Sequence, residues 1–261
     1  GVDDVHVRDS GRPGPNVMVQ ALTHGNEFCG AIALDLLFKL NLQPAQGKLT
    51  LAFANVAAFA RFDFADPDRS RFIDEDYNRV WADEVIGGSR DSAELRRARE
   101  LRPFVDAADF LLDLHTMTEP CRPIMVCGML DKGAEFARRL GVPADLLIDT
   151  GHPAGLRMRD RGGFGDPASP KNALLIEAGQ HWEKSAVDVA IDTTLSHEAP
   201  YPASVQDVHY GVRWLKAKAR EWKGDPSTLG VLGSSSGGHV APLVGMRPRD
   251  PRHAALPLGG A

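Results

Sequence analysis

The chain of 261 residues has no apolar run approaching the roughly 18 residues that would mark a membrane-spanning helix. It lacks a basic excess. Its 30 Lys and Arg against 35 Asp and Glu leave a net charge of −5, which argues against a nucleic-acid partner. Gly1-Val2-Asp3-Asp4 offers neither a basic n-region nor an apolar h-region, so no signal peptide is expected and the expected compartment is cytoplasmic. Cysteine is scarce. Cys29, Cys121 and Cys127 form an odd set with no C-x-x-C pair, which excludes a disulfide framework and argues against a thiolate zinc site. They are expected to be small buried hydrophobes.

What is present is ordinary globular material, 43% hydrophobic and 25% charged, enough for one sizeable core or two smaller ones. The apolar run Val17–Leu22 predicts a buried strand, and the spacing of Phe28, Ile32, Leu36, Leu37 and Leu40 predicts a helix over 27–40. Residues 48–56 are strand-like, and 91–108 form a charged helix with Leu95, Leu101, Phe104 and Val105 on its apolar side. Residues 110–115 and 173–178 are further buried strands, 124–129 a strand and 133–140 a helix. Residues 151–171, rich in Gly, Pro, Asp and Arg, are expected to be a long loop. Alternating strands and helices imply an α/β layered fold. His24, His115 and Glu177 then fall at or just after strand ends, where ligands gather in open α/β sheets.

His24-Gly25-Asn26-Glu27 places an imidazole and a carboxylate on one face of a turn or helix start. Both are common zinc ligands, and His115 at the end of an apolar strand makes a third. Two histidines and one carboxylate form a catalytic zinc set with an open position. Asp113 either orients an imidazole or caps the strand end. Glu177 ends an apolar strand, where an unpaired charge is costly, and suits a proton-relaying base. In Arg71-Phe72-Ile73-Asp74-Glu75-Asp76-Tyr77-Asn78-Arg79, two arginines and an amide suit a carboxylate-bearing substrate, a surface charge cluster being the competing reading.

Taken together, Thr23–Glu27, Arg71–Arg79, Asp113-Leu114-His115-Thr116 and Ile176-Glu177-Ala178-Gly179 make residues 14–195 resemble the succinylglutamate desuccinylase/aspartoacylase family. The resemblance implies a zinc carboxypeptidase-like mixed sheet flanked by helices. It implies one Zn2+ held by His24, Glu27 and His115, and Glu177 as general base. It also implies Arg71, Asn78 and Arg79 as contacts to the substrate carboxylate or carbonyl, and hydrolysis of an N-acyl amide on an amino-acid-like small molecule. The family also uses an arginine shortly before the base. This chain has Pro167 there, so Arg159 or Arg161 would have to substitute. Gln180-His181-Trp182-Glu183 suggests a side branch of the family with a different substrate.

The domains are therefore expected at 1–195 and 196–261. The resemblance implies a small β-rich domain after the first, but residues 196–261 do not read as one. Instead, residues 197–256 resemble an internal fragment of an α/β-hydrolase esterase. A helix from about 204 to 222, with Val208, Val212, Leu215 and Ala219 as its apolar side, leads to a turn and strand at 225–232. Gly233-x-Ser235-x-Gly237 then has the form of a nucleophile elbow. Asp250 and His253 follow closely in a Pro-rich tail and are poor candidates for the remaining triad members. The alternatives to a deacylase are a serine esterase using Ser235 or a catalytically impaired zinc-binding fusion protein. A helix with no sheet to pack on would expose apolar surface, which predicts disorder, homo-oligomerisation or docking on the first domain.

Overall fold

Three apolar runs of the sequence become the parallel centre of a seven-stranded mixed sheet of order β1-β3-β2-β4-β7-β5-β6 in a computed structural model. The structure describes residues 1–195 and 203–231, together with 241, 244–246 and 251. The strands are β1 (Val5–Asp9), β2 (Asn16–Ala21), β3 (Lys48–Phe53), β4 (Phe110–Met117), β5 (Ile124–Cys127), β6 (Asp145–Ile148) and β7 (Asn172–Gln180). β2 pairs in parallel with β3 and β4, and β4 with β7. β1 and β5 join antiparallel to β3 and β7. The central strands are buried almost throughout, which is why they are written as apolar runs rather than alternations.

The helices are α1 (Cys29–Lys39), α2 (Val56–Phe59), α3 (Asp83–Ile86), α4 (Ala93–Ala107), α5 (Asp131–Leu140), α6 (Lys184–Leu195) and α7 (Ala203–Lys218). Successive strand residues face opposite sides of a sheet. Leu111 of β4 therefore packs with Leu95, Ala98, Leu101 and Val105 of α4, while Leu114 meets α1 on the other face. α4 starts where Ser92 accepts a hydrogen bond from Leu95 N–H at 3.0 Å. Gly30 lets α1 approach closely: a Cβ there would lie 2.7 Å from Leu114 Cβ and 3.0 Å from Ala21 Cβ.

The chain divides into two compact units, Gly1–Thr194 and Leu195–Ala261. Several local expectations are corrected. The sequence pattern predicts neither β1 nor β6, since β1 is a mostly exposed edge and β6 is four residues with Leu147 and Ile148 exposed. The 151–171 loop contains two 3-10 turns, and Leu156 forms a parallel bridge to Val80. In the second unit, Val208 and Leu215 of the expected apolar side are exposed, and among the described side chains of α7 Val205 and His209 are buried. Residues 229–231 are irregular where a strand was expected. The Ser235 motif and Asp250–His253 fall outside the described residues, apart from the backbone turn at position 251.

Candidate active site

β2 delivers its chain to the carboxyl edge of the sheet, where Thr23–Phe28 form a turn before α1 begins at Cys29. His24 and Glu27 therefore lie ahead of the helix rather than in its first turn. Glu27 N–H bonds back to the His24 carbonyl at 3.2 Å, and Gly25 N–H bonds to the Arg71 carbonyl at 3.0 Å. Gly25 must be glycine here, because a Cβ would lie 2.3 Å from Ser70 O and 2.4 Å from Phe59 N. The turn is thus stitched to the segment that carries Arg71.

Glu27 stands between the two imidazoles. Its Oε1 lies 2.8 Å from His24 Nδ1, and its Oε2 lies 2.9 Å from His115 Nδ1. The ligand atoms of His24, Glu27 and His115 all lie within 4.8 Å of one another, and all three residues are buried, so the group could hold a metal ion. Burial opposes the charge on Glu27, but the neighbouring His24 and His115 outweigh it and hold its carboxyl well below the usual range. Burial likewise opposes protonation of His115, yet Asp113 and Glu27 raise its pKa well above the ordinary imidazole value. Two imidazoles and one buried carboxylate converging in this way are the donor set expected of a divalent cation site.

Support for these groups comes from a buried relay. Gln20 Nε2 donates to Thr23 Oγ1 at 2.8 Å, and Thr23 Oγ1 donates to Asp113 Oδ1 at 2.7 Å. Asp113 Oδ2 lies 2.8 Å from His115 Nε2. Of the two readings of Asp113, the geometry supports orientation of the imidazole, leaving Nδ1 toward Glu27.

Parallel pairing of β4 with β7 registers His115 with Glu177, which brings both side chains to one face. Glu177 Oε2 is closed off from solvent and has no hydrogen-bond partner. Burial, with Glu27 and Asp113 adding negative charge and His115 and Arg71 opposing, pushes its pKa up to about 8. Arg71 donates from Nη1 to Glu27 Oε1 at 3.2 Å and places Nη2 3.1 Å from His24 Nε2. Asn78 is buried and its Oδ1 accepts from Met158 N–H at 3.1 Å. Arg79 donates to the Asn78 carbonyl at 2.8 Å and lies 3.9 Å from Asp76. The structure therefore brings Arg71 onto His24 and Glu27, while Asn78 and Arg79 adjoin it through Asp76.

Asp76 was not singled out by sequence, although it lies within the Arg71–Arg79 segment. Its Oδ1 is 3.0 Å from His24 Nε2. Burial opposes ionisation, but the hydrogen bond and charge of His24, with Arg79, hold its carboxyl well below the usual carboxylate range. Of the two candidate arginines, Arg161 is engaged with Asp106, Asp83 and the Trp81 carbonyl. Arg159 bonds Asp149 at 2.6 Å and keeps Nε and Nη1 buried without partners. Cys29 is a buried thiol whose pKa burial and Glu27 push up to about 12, so it offers no thiolate. Cys127 is buried as expected, whereas Cys121 is only partly so.

Fold and site together define an α/β protein with a candidate divalent-metal centre at the carboxyl edge of its sheet and a protonatable carboxylate beside it. The family model for the succinylglutamate desuccinylase/aspartoacylase catalytic domain matches residues 13–195, and the chain belongs to this family. Its fold is shared by the succinylglutamate desuccinylase of Chromobacterium violaceum, at 19% identity, TM-score 0.57, 76% of this chain and 68% of that one. It is shared by the succinylglutamate desuccinylase/aspartoacylase of Rhodobacter sphaeroides, at 21% identity, TM-score 0.53, 74% of this chain and 56% of that one. Murine aminoacylase 3 matches at 23% identity, TM-score 0.50, 72% of this chain and 67% of that one. A second family model, described as BD-FAE, matches residues 170–253, beginning within the first match rather than after it. Curated relatives follow the same segment. Carboxylesterase NlhH of Mycobacterium tuberculosis is 38% identical over 65 residues, 25% of this chain and 20% of that protein. LipM, a probable carboxylic ester hydrolase of the same species, is 38% identical over 85 residues, 33% of this chain and 18% of that protein. The chain thus spans about a fifth of the length of the curated esterases it matches. Among the described residues, no helix is long and apolar enough to cross a membrane.

Proposed function

We propose that the chain is a zinc-dependent hydrolase of an N-acyl amide, or a related ester, of an amino-acid-like carboxylate. In this reading the metal is held by His24, Glu27 and His115. When bound, zinc supplies Lewis acidity, polarising a carbonyl and making water acidic enough to act as a nucleophile near neutral pH. The remaining work falls to the chain. Glu177 takes a proton from the attacking water on its carboxylate and returns it to the leaving amine. Arg71 offers guanidinium N–H groups to the substrate carbonyl or carboxylate, with Asn78 and Arg79 completing the binding surface. Arg159 is the better substitute for the arginine expected before the base, because Arg161 already has its full set of partners.

The observation that carries this reading is the register of His115 with Glu177, which sets a carboxylate with an unpartnered oxygen beside a buried ligand trio. A screen of N-acyl amino acids with and without chelator tests it. Chelator-sensitive hydrolysis that Glu177→Gln abolishes is expected, and hydrolysis indifferent to chelator overturns it. Residues 196–261 are assigned as a partial esterase segment that does not carry its own catalysis. A serine esterase centred on Ser235 is the second reading, favoured by the BD-FAE match. Fluorophosphonate labelling abolished by Ser235→Ala would establish it. Inactivity of the zinc-loaded protein on every N-acyl substrate would instead identify a catalytically impaired zinc-binding fusion protein.

A further inference from the structure

The two residues that follow the Glu177 strand reach both segments that carry the proposed ligands. The His181 side chain is buried against the end of β4: Nδ1 lies 2.7 Å from Thr116 Oγ1 and Nε2 lies 3.4 Å from Thr118 Oγ1. Its backbone N–H donates to the Met117 carbonyl at 2.7 Å, and Gln180 Nε2 donates to the Thr118 carbonyl at 3.1 Å. Thr116 directly follows His115, and its own N–H donates to Glu27 Oε2 at 3.2 Å. Trp182 turns the other way. Its Nε1–H donates to the Asn26 carbonyl at 3.0 Å, and its ring stacks on Phe28 at 6.4 Å and 26°. Asn26 and Phe28 flank Glu27, so one indole grips the ligand turn on both sides of the carboxylate. Trp182 does this from a φ of 65°, a left-handed conformation that a bulky residue holds only when its surroundings fix it.

We propose that His181 and Trp182 are a pair of positioning residues that clamp the His24–Glu27 turn and the His115 strand to the strand carrying Glu177, so that base and ligand set are held in one register. His181 fixes the strand side through Thr116, and Trp182 fixes the turn side through Asn26 and Phe28. Neither side chain is itself a ligand. Groups that orient metal ligands in this way commonly change metal affinity by roughly 10–100-fold when removed.

The clamp rests on His24, Glu27 and His115 as the ligands, and the test separates the two claims. Zinc affinity is measured by competition with a chelating indicator, alongside the absorption spectrum of the Co2+-loaded protein. Full-length wild type is compared with H181A, H181N, W182G, W182F, H24A and H115A. Glycine at 182 accepts the backbone conformation, so W182G removes the grip without forcing strain. W182F keeps a ring but loses the N–H bond to Asn26, and H181N keeps a short side chain able to bond Thr116. The expected result is a loss of affinity of roughly 10-fold or more in H181A and W182G, a smaller loss in W182F, partial recovery in H181N relative to H181A, and an altered Co2+ spectrum. If H181A or W182G fails to fold, W182F and H181N decide by the same comparison. Affinities within about twofold of wild type in the clamp variants, with binding lost in H24A and H115A, overturn the clamp alone. Wild-type affinity in H24A and H115A overturns the ligand assignment and the clamp with it.

Discussion

Burial leaves Glu177 with a proton affinity unusual for a carboxyl, and this has a consequence separable from catalysis. Its pKa, pushed up to about 8 from an ordinary 4.5, exceeds that of the unfolded chain. Below about pH 4.5 both states are protonated and the group has no net effect. As pH rises from there toward 8, the unfolded chain releases the proton while the folded chain retains it, so metal-free stability falls by up to about 1.4 kcal/mol per pH unit. Glu177→Gln removes this contribution. Urea denaturation of both proteins in chelator at pH 5 and pH 8 should therefore show the variant gaining stability relative to wild type across the interval. A constant difference would mean that Glu177 is not buried as described. A second residue-level expectation concerns Arg159. If its unpartnered donors serve the substrate, Arg159→Met lowers kcat/KM by roughly 10-fold or more with zinc content unchanged, whereas Arg161→Met acts mainly on stability. Equal kinetic effects of the two changes would contradict the distinction.

At the scale of elements, the site depends on how closely α1 and the turn before it approach the sheet and the Arg71 segment. Gly25→Ala puts a methyl against the Ser70 and Phe59 backbones, and Gly30→Ala puts one against Leu114 and Ala21. Overpacking of this kind costs about 1–3 kcal/mol where side chains can yield, and more where backbone must move. Gly25→Ala is therefore expected to destabilise more than Gly30→Ala and to weaken zinc binding as well. Equilibrium denaturation and metal titration of both variants check the order; a harmless Gly25→Ala would contradict it. The strands that build the site were legible because they are central. Val17–Leu22, Phe110–His115 and Ala173–Ala178 are mostly apolar because both faces are buried, and the few polar groups in or just after them are conspicuous for that reason. Edge strands β1 and β6 carry no such run, so the sequence pattern does not mark them. His24-x-x-Glu27 was legible as a spacing, but its turn geometry was not, because Gly25 is dictated by backbone that arrives from residues 58 and 70. Asp76, His181 and Trp182 lie in segments that stand out in the sequence, but their contacts join distant parts of the chain, and no local pattern announces those.

At the scale of the whole molecule, the chain divides into two compact units, and the two family models that match it, over 13–195 and 170–253, overlap across that division. The first unit holds the candidate metal centre, and the second carries α7 with Val208, Trp214 and Leu215 exposed and a Trp214–Trp222 ring contact at 5.6 Å. A metal that binds only the folded state stabilises it by mass action, by about 2.7 kcal/mol when free zinc is a hundred times its dissociation constant. Thermal unfolding of the full chain should therefore shift upward with zinc and downward with chelator. Neither shift should survive in a His24→Ala, His115→Ala double variant. Fluorophosphonate labelling at Ser235 is expected to be absent, since Asp250 and His253, three residues apart in a Pro-rich tail, are poor candidates for the remaining triad members. The central claim is that His24, Glu27 and His115 hold the ion on which hydrolysis depends. Its most direct test is zinc content by elemental analysis in wild type, His24→Ala and His115→Ala, with N-acyl amino-acid hydrolysis measured on the same samples. The account predicts one zinc per chain and chelator-sensitive turnover in wild type, with both lost in each variant; full zinc retention in the two variants would contradict it.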